Sequence, residues 1–554
     1  MNHAEGAPVV VIAALHFEKG PEAVPLGAAC IVSALRERFG EKISVSLREG
    51  FASEGSALLV EKISAACPDA AGFSLYSWNR SICVAAAKEI RKRFPGIFLF
   101  CGGPEASALP AGLLLKEGGP FDVVVEGEGE RKVLSLVEER FFPGKELSPR
   151  APLPLTKSLP YGDSLESLPS PWLDGTLKIG ESSTVLWELT RGCPYACAYC
   201  YESRGDRRLR HFGEERLLEE LKVFVRANVP YVFVLDPTFN IENKRALKIL
   251  DMILAESRKA EEEGLRADTH WHFEVRAELV GRAQARRFAG LGASLQIGLQ
   301  TADSSISAHL GRVLDRKAFR RGIDILNAEG VVFGLDLIYG LPGDSLASYK
   351  RSLDFALSLY PNNLDLFRLS VLPGTALRDW SGQLGMEIEE EAPYMVLGTG
   401  TFSAGDLEKA ESLSGGTDIF YNRGRAVPWF LQALKPLKMK PSVFLETFTE
   451  FLLSRSGKPE DMNSIQIEEL QLSWLETCYR KSGKDILFPA LRDIIRCHGA
   501  LSRALAEGLS TVLDLEYDPD ELLKAGDPES FVPALKKKKR RVRIFPGPRG
   551  PEIR

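Results

Sequence analysis

Short apolar runs alternate with amphipathic stretches through the first two thirds of the chain. VVVIAALH near the N-terminus, ISVSL near 43, AAGFSL near 70, IFLFCGG near 97 and DVVVEGEGE near 122 read as buried strands, each separated from the next by a helical pattern. A short apolar run bounded by turn residues suits a strand covered on both faces. Strand and helix in alternation predict a parallel sheet flanked by helices, here a doubly wound domain over residues 1–140. In such sheets ligands sit beyond the carboxyl ends of the strands. Those ends carry Tyr76-Ser77-Trp78, Gly102-Gly103-Pro104-Glu105 and Glu126-Gly127-Glu128-Gly129-Glu130.

Prolines then recur without periodicity from Phe142 to Gly175, which predicts a linker over 141–182. A second alternating series follows, with strands expected at TVLWELT (184–190), YVFVLD (231–236), HFEVRA (272–277), SLQIGLQT (294–301), VVFGLDLIYG (331–340) and LDLFRLSVLP (364–373). Their repeat length suits an open (β/α)6 barrel over 183–378 better than a second flat sheet. From 379 to 554 the pattern turns mainly helical and ends in a basic tail. The expected fold class is therefore α/β: an N-terminal doubly wound (Rossmann-like) parallel sheet, a central (β/α)6 partial TIM barrel and a mainly helical C-terminal region.

At 554 residues the chain is long enough for about three domains, and a formal charge of -5 gives no global case for nucleic acid or an anionic membrane. The basic run Lys536 to Arg541 with Arg543 reads as solvated surface, with RNA phosphate as the alternative, and VRIF after it is also open to reading as a short closing strand. No apolar run approaches bilayer length, and MNHAEGAPVVVIAAL lacks the basic start and cleavage site of a signal peptide, so a cytoplasmic protein without a membrane partner is expected. Thiols stay reduced there, which turns attention from disulfides to metal or redox chemistry.

Three of the nine cysteines, Cys193, Cys197 and Cys200, fall in RGCPYACAYCYESRG directly after a predicted barrel strand. Structural zinc needs four ligands, and no second Cys-x2-Cys or nearby histidine pair supplies the fourth. Iron-sulfur clusters take thiolates, and a cubane with three protein ligands leaves one iron open to an exogenous molecule.

Cys-x3-Cys-x2-Cys with an aromatic residue before the third cysteine, at the end of the first strand of such a barrel, resembles the radical S-adenosylmethionine (SAM) superfamily. The resemblance implies a [4Fe-4S] cluster on Cys193, Cys197 and Cys200 whose open iron is chelated by SAM, with reductive cleavage of the sulfonium to a 5′-deoxyadenosyl radical. It further implies Tyr199 against the adenine, and Asp236 with Thr238 and Asn240 near the cosubstrate's ammonium. Packing and helix capping are the alternatives for Tyr199 and Asp236. Glu274 and Arg276 alternate along one predicted strand, so both are expected to point into the barrel. Arg276 is a candidate for the SAM carboxylate or ribose, or for a surface salt bridge. Gln300 and Thr301 resemble the family's Gly-x-Gln-Ser element, and Asp336 with Gly340-Leu341-Pro342-Gly343-Asp344 its late-strand turn.

CGGPEAS (101–107) and VVEGEGE (124–130) ahead of this barrel resemble the subgroup with an N-terminal cobalamin (B12)-binding domain. By that resemblance Gly102, Gly103, Glu126, Gly127 and Glu128 flank a corrin. Residues 1–140 hold only His3 and His16, neither in an Asp-x-His-x-x-Gly context, so cobalamin would bind without a histidine ligand; the other reading is an empty relic pocket. Cys30, Cys67 and Cys101 are not read as ligands of a second cluster, since Cys30 in a helical pattern and Cys101 at the end of an apolar strand suit small buried residues. The function expected is cobalamin-dependent methylation of an unactivated carbon on an unknown small molecule, fed by a reducing protein such as flavodoxin or ferredoxin. The alternatives are a cobalamin-independent radical rearrangement or cyclisation, a tRNA modification, and an iron-sulfur electron carrier or sensor. No general base stands out, and the helical extension carries no activity by resemblance.

Overall fold

The computed structural model describes residues 6–20, 22–115, 119–143, 164–180, 184–266, 268–455, 461–524, 537–547 and 550–554. Most of the expected linker, His3 and Lys536 lie outside them.

The first domain is a five-stranded parallel sheet of β1 (Val9–His16), β2 (Ser44–Phe51), β3 (Ala70–Ser74), β4 (Phe98–Gly102) and β5 (Val123–Val125), in the order 2-1-3-4-5. Side chains alternate across it: Val11, Ala13, Leu15, Phe73 and Cys101 join one core, while Val10, Ile12, Ala14 and Phe100 join another on the opposite face. Burial on both faces is why these strands read as continuous apolar runs. In this order the connections leave β1 and β3 in opposite directions, which opens a crevice at their carboxyl ends.

The second domain is a six-stranded, all-parallel sheet of β6 (Thr184–Trp187), β9 (Tyr231–Val234), β10 (His270–Glu274), β11 (Ser294–Gln300), β12 (Val332–Tyr339) and β13 (Asn363–Arg368), in sequential order. Trp187, Val232, Phe273, Leu295, Leu335 and Leu364 point to the helix-packed side and are buried. The alternate positions, Phe233, His272, Gln296, Asp336 and Asp365, form the other face and are only partly buried. Between β6 and β9 a two-residue antiparallel pair, β7 (Thr190–Arg191) with β8 (Arg210–His211), closes the loop that carries the three cysteines. After the barrel, β14 (Glu387–Ile388) and β15 (Val396–Gly398) make a short antiparallel hairpin.

The C-terminal helices, among them Ala404–Thr417, Pro441–Leu453, Ser464–Lys481 and Phe488–Glu507, share one continuous hydrophobic core with the barrel. The described part of the basic tail is not a free arm. Arg540–Gly547 is the central strand, β17, of an antiparallel sheet with β16 (Thr511–Leu515) and β18 (Gly550–Ile553). Lys537 pairs with Glu516 at 2.5 Å, Arg540 with Asp518 at 3.5 Å and Arg541 with Asp514 at 3.8 Å, so neighbouring acids offset much of its charge. Among the described residues no helix is long and apolar enough to cross a membrane.

Candidate active site

The cysteine loop is held by backbone bonds to three places. The Cys193 N–H donates to the Asp206 carbonyl at 3.3 Å, the Ala198 N–H to the Leu310 carbonyl at 2.8 Å, and the Leu377 N–H to the Ala198 carbonyl at 2.9 Å. The Ser203 hydroxyl donates to the carbonyls of Cys197 and Cys200 at 2.9 and 2.8 Å. Gly311, at φ +72°, lets the chain after β11 approach so closely that a Cβ there would stand 2.3 Å from the Ala196 carbonyl oxygen. Cys193 and Cys197 are both 7% exposed and Cys200 is half-buried. Burial, reinforced by the neighbouring Cys197 thiolate, raises the Cys193 thiol and pushes Cys200 up to about 11. Buried thiols raised in this way, as Cys193 and Cys200 are, ionise readily only when a metal centre takes their charge. Among the described residues no three His, Cys, Asp or Glu side chains converge on one point; a cubane takes each thiolate on a different iron.

Beside Cys197 stand Tyr199 and Arg312, with Gln300 next to Arg312, whose Nη2 donates to the Gly298 carbonyl. The Tyr199 hydroxyl, the Arg312 Nε and the Gln300 Oε1 are buried without hydrogen-bond partners, and Gln300 holds φ +66°. Charge interaction with Cys197 acts on both Tyr199 and Arg312. Each such orphan costs about 1–3 kcal/mol, and they cluster where a polar ligand would pair them. Sequence reasoning missed Arg312, which lies in an unremarkable Gly-Arg-Val-Leu-Asp stretch; only the fold brings it to the cysteine loop.

The open face of the barrel is acidic. Gln296 donates to Asp336 and, at 3.0 Å, to Asp365. Glu274 lies open to this face, and desolvation with the charges of Asp336 and Glu202 pushes its carboxyl up to about 7. Desolvation likewise pushes Asp336 up to about 6, against its bond from Gln296.

Several expected cosubstrate residues have other partners. Arg276 lies past the end of β10, 8% exposed, with its guanidinium 4.0 Å from the Tyr195 ring centroid and 3.3 Å from Glu278. The Asn240 amide is spent on the Arg276 backbone, accepting from its N–H and donating to its carbonyl at 3.0 Å each. Thr238 donates to the Pro237 carbonyl at 2.6 Å. Thr301, 2% exposed, contacts the Ser352 hydroxyl at 3.3 Å and accepts from the Asp303 N–H at 3.1 Å. Asp236, 5% exposed, accepts from the Leu189 N–H at 3.1 Å and shares a small cavity with Thr190, His211 and Arg245. Desolvation pushes its carboxyl up to about 7 despite the Thr190 and Leu189 hydrogen bonds. Tyr199, Gln300 and Glu274 keep free polar atoms or open surface; Asn240, Thr238 and Thr301 serve local structure.

At the crevice of the first domain, Tyr76 and Trp78 stack at 4.4 Å and 15°, and Trp78 is 47% exposed. Asn79, fully buried, fixes them: it accepts from the Tyr76 N–H at 2.8 Å and donates to the Leu15 and Ser74 carbonyls at 3.0 and 3.1 Å. Gly103, at φ +100°, is required by backbone crowding, since a Cβ would lie 2.7 Å from the Leu75 oxygen; one on Gly102 would lie 3.3 Å from the Val125 oxygen. The Gly127 N–H donates to the Ser107 hydroxyl at 2.9 Å, and the Glu126 carbonyl accepts from Lys132. Glu128 pairs with Arg210 rather than lining the crevice. Helix Leu26–Phe39, which carries Cys30, packs on the face opposite Cys101, and Cys67 is exposed; these three cysteines do not form one site.

The carboxyl edges of the two sheets meet. The Tyr201 hydroxyl donates to the Pro104 carbonyl at 2.9 Å and Arg204 to the Ser107 carbonyl at 2.7 Å. The Tyr394 hydroxyl, from the β14–β15 connection, donates to Glu105 at 2.5 Å. Residues 15–137 match the B12 binding domain model and residues 187–356 the Radical SAM superfamily model. The chain carries a B12-binding domain and a radical SAM domain. Among relatives, it is 28% identical over 341 residues to the cobalamin-dependent radical SAM methyltransferase TokK of Streptomyces tokunonensis, covering 56% of this chain and 48% of TokK. The chain thus spans about half the length of the first curated relatives it matches. The fold is shared with the radical SAM methyltransferase TsrM of Kitasatospora setae, at TM-score 0.55 and 16% identity over 69% of this chain and 79% of that one. It is also shared with the cobalamin-dependent SAM radical enzyme OxsB, at TM-score 0.57 and 13% identity over 87% of this chain and 80% of that one. In this chain the radical SAM domain's cysteine loop faces the B12-binding domain's carboxyl edge.

Proposed function

We propose that the chain is a cobalamin-dependent radical SAM methyltransferase acting on an unactivated carbon of a small-molecule substrate. The observation that carries this is the apposition of the buried three-cysteine loop, with its unpaired Tyr199, Arg312 and Gln300 polar atoms, to the aromatic-lined edge of the B12-binding domain. When bound, a [4Fe-4S] cluster with SAM supplies the one-electron cleavage that yields a carbon-centred radical, and cobalamin supplies the methyl carrier. Cys193, Cys197 and Cys200 would hold the cluster. The Tyr199 hydroxyl, Arg312 Nε and Gln300 Oε1 would pair with polar groups of SAM, and Glu274 would meet its ammonium. Tyr76 and Trp78 offer a planar apolar surface to the corrin side. The contacts of Tyr201, Arg204 and Tyr394 with the first domain narrow the gap and limit water. A small reducing protein such as flavodoxin or ferredoxin would deliver the electron.

Anaerobic reconstitution followed by iron and cobalt analysis, with mass detection of 5′-deoxyadenosine and S-adenosylhomocysteine after reduction, tests the reading. Both metals and both nucleoside products are expected. Iron and 5′-deoxyadenosine without cobalt would move the protein to cobalamin-independent radical chemistry; a cluster with neither product would make it an electron carrier or sensor.

A further inference from the structure

Within the segment Glu126 to Glu130, the carboxylates of Glu128 and Glu130 are spent on ion pairs with the other domain. The Glu130 carboxylate lies 2.6 Å from the Arg191 guanidinium, which also holds Glu188 at 3.0 Å and stands 3.7 Å from Glu128. Glu128 in turn accepts from Arg210 at 3.2 Å. The side chains of Arg191, Arg210 and Glu130 are 13%, 6% and 8% exposed, so the Arg191–Glu130 pair is buried, whereas Glu128, at 29%, is half-buried against Arg210. Arg191 and Arg210 face each other across the β7–β8 pair, one just before Gly192-Cys193 and the other at the far end of the same loop. Both ends of the cysteine loop are therefore tied to one short segment of the other domain. Tyr201 and Arg204 add a third attachment, to the Pro104 and Ser107 carbonyls.

Buried ion pairs repay their desolvation poorly and specify geometry more than they add stability. A guanidinium shared among several carboxylates, with its planar fork, sets orientation as well as distance.

We propose that Arg191 and Arg210 are positioning residues that lock the cysteine loop to the Glu128–Glu130 segment, fixing the separation across which radical formation and methyl delivery are coupled. The coupling rests on the function proposed above; the lock is a property of this chain alone. Full-length, anaerobically reconstituted protein is compared as wild type, Arg191→Met, Arg191→Lys and Glu130→Gln. Two readouts are taken: hydrogen exchange in residues 126–130 and 192–209, with 294–300 as reference, and the ratio of 5′-deoxyadenosine to S-adenosylhomocysteine. Arg191→Met is expected to raise exchange in both segments together by roughly tenfold or more, with the reference unchanged. The nucleoside ratio is expected to shift by about fivefold or more. Glu130→Gln, which removes the partner on the other domain and leaves the cysteine loop's own sequence intact, is expected to raise exchange in both segments, and Arg191→Lys, lacking the fork, falls between wild type and Arg191→Met. Exchange that rises only in 192–209, or in neither segment, overturns the lock, because Arg191 would then serve its own loop alone. Should Arg191→Met fail to fold, Arg191→Lys and Glu130→Gln decide by the same exchange criterion. If wild type forms neither nucleoside, the proposed function fails while the exchange result still judges the lock.

Discussion

Replacing Asp236 by Asn removes a buried carboxyl whose pKa desolvation raises from 3.8 to about 7. Between those values the folded protein binds a proton that the unfolded chain has released, so this group makes stability fall as pH rises through the window and level off above about pH 7. At 1.36 kcal/mol per unit, a shift of roughly three units amounts to about 4 kcal/mol against folding at pH 8, more than half of which accumulates between pH 5 and 8. Asn does not titrate, and its side-chain oxygen can still accept the Leu189 N–H. The stability of Asp236→Asn relative to wild type should therefore climb by roughly 2–3 kcal/mol from pH 5 to pH 8. Urea unfolding followed by tryptophan fluorescence reports on this domain, since Trp187 and Trp271 are buried in it. A stability difference that stays flat within about 0.5 kcal/mol across that range, or that shrinks with rising pH, refutes the desolvation of the Asp236 carboxyl.

Further outcomes follow from single sites. Ser at Cys193, Cys197 or Cys200 should each abolish iron retention after anaerobic reconstitution, read by metal analysis and electron paramagnetic resonance, because three thiolates leave none to spare. Gly103→Ala combines a left-handed φ of +100° with a Cβ 2.7 Å from the Leu75 oxygen, and should lower the stability of the first domain by about 2–4 kcal/mol in thermal or urea melts. Trp78→Ala removes an exposed stacked ring and should weaken cobalamin retention by roughly tenfold, about 1.4 kcal/mol, in a spectroscopic titration.

Much of the architecture was legible along the chain. The five strands of the first sheet and the six of the barrel fall where apolar runs lie between turn residues, because period and burial are local properties of a strand. The cysteine loop was equally legible, since its spacing lies within eight residues, 193 to 200. The C-terminal sheet was less so: β16 and β17 pair across a long separation in the chain, and a run of Lys and Arg hides strand alternation. The Glu126–Glu130 segment read as a ligand edge because its acids and glycines suit one, whereas its ion pairs come from residues 191 and 210 in another domain. Asn240 and Thr301 carry the right residue types at the right strand ends, and their atoms are consumed by local backbone.

The order of residues alone determined which segments become strands, that the sheets are parallel and that three thiols share one loop, because these follow from periodicity, apolar run length and spacing. Only the tertiary structure decided which polar atoms remain unpaired beside Cys197, where Arg312 stands, and that Arg191 and Arg210 meet Glu128 and Glu130. Hydrogen-bond satisfaction and charge pairing depend on distances of a few ångströms between residues remote in the chain, and folding alone sets those distances.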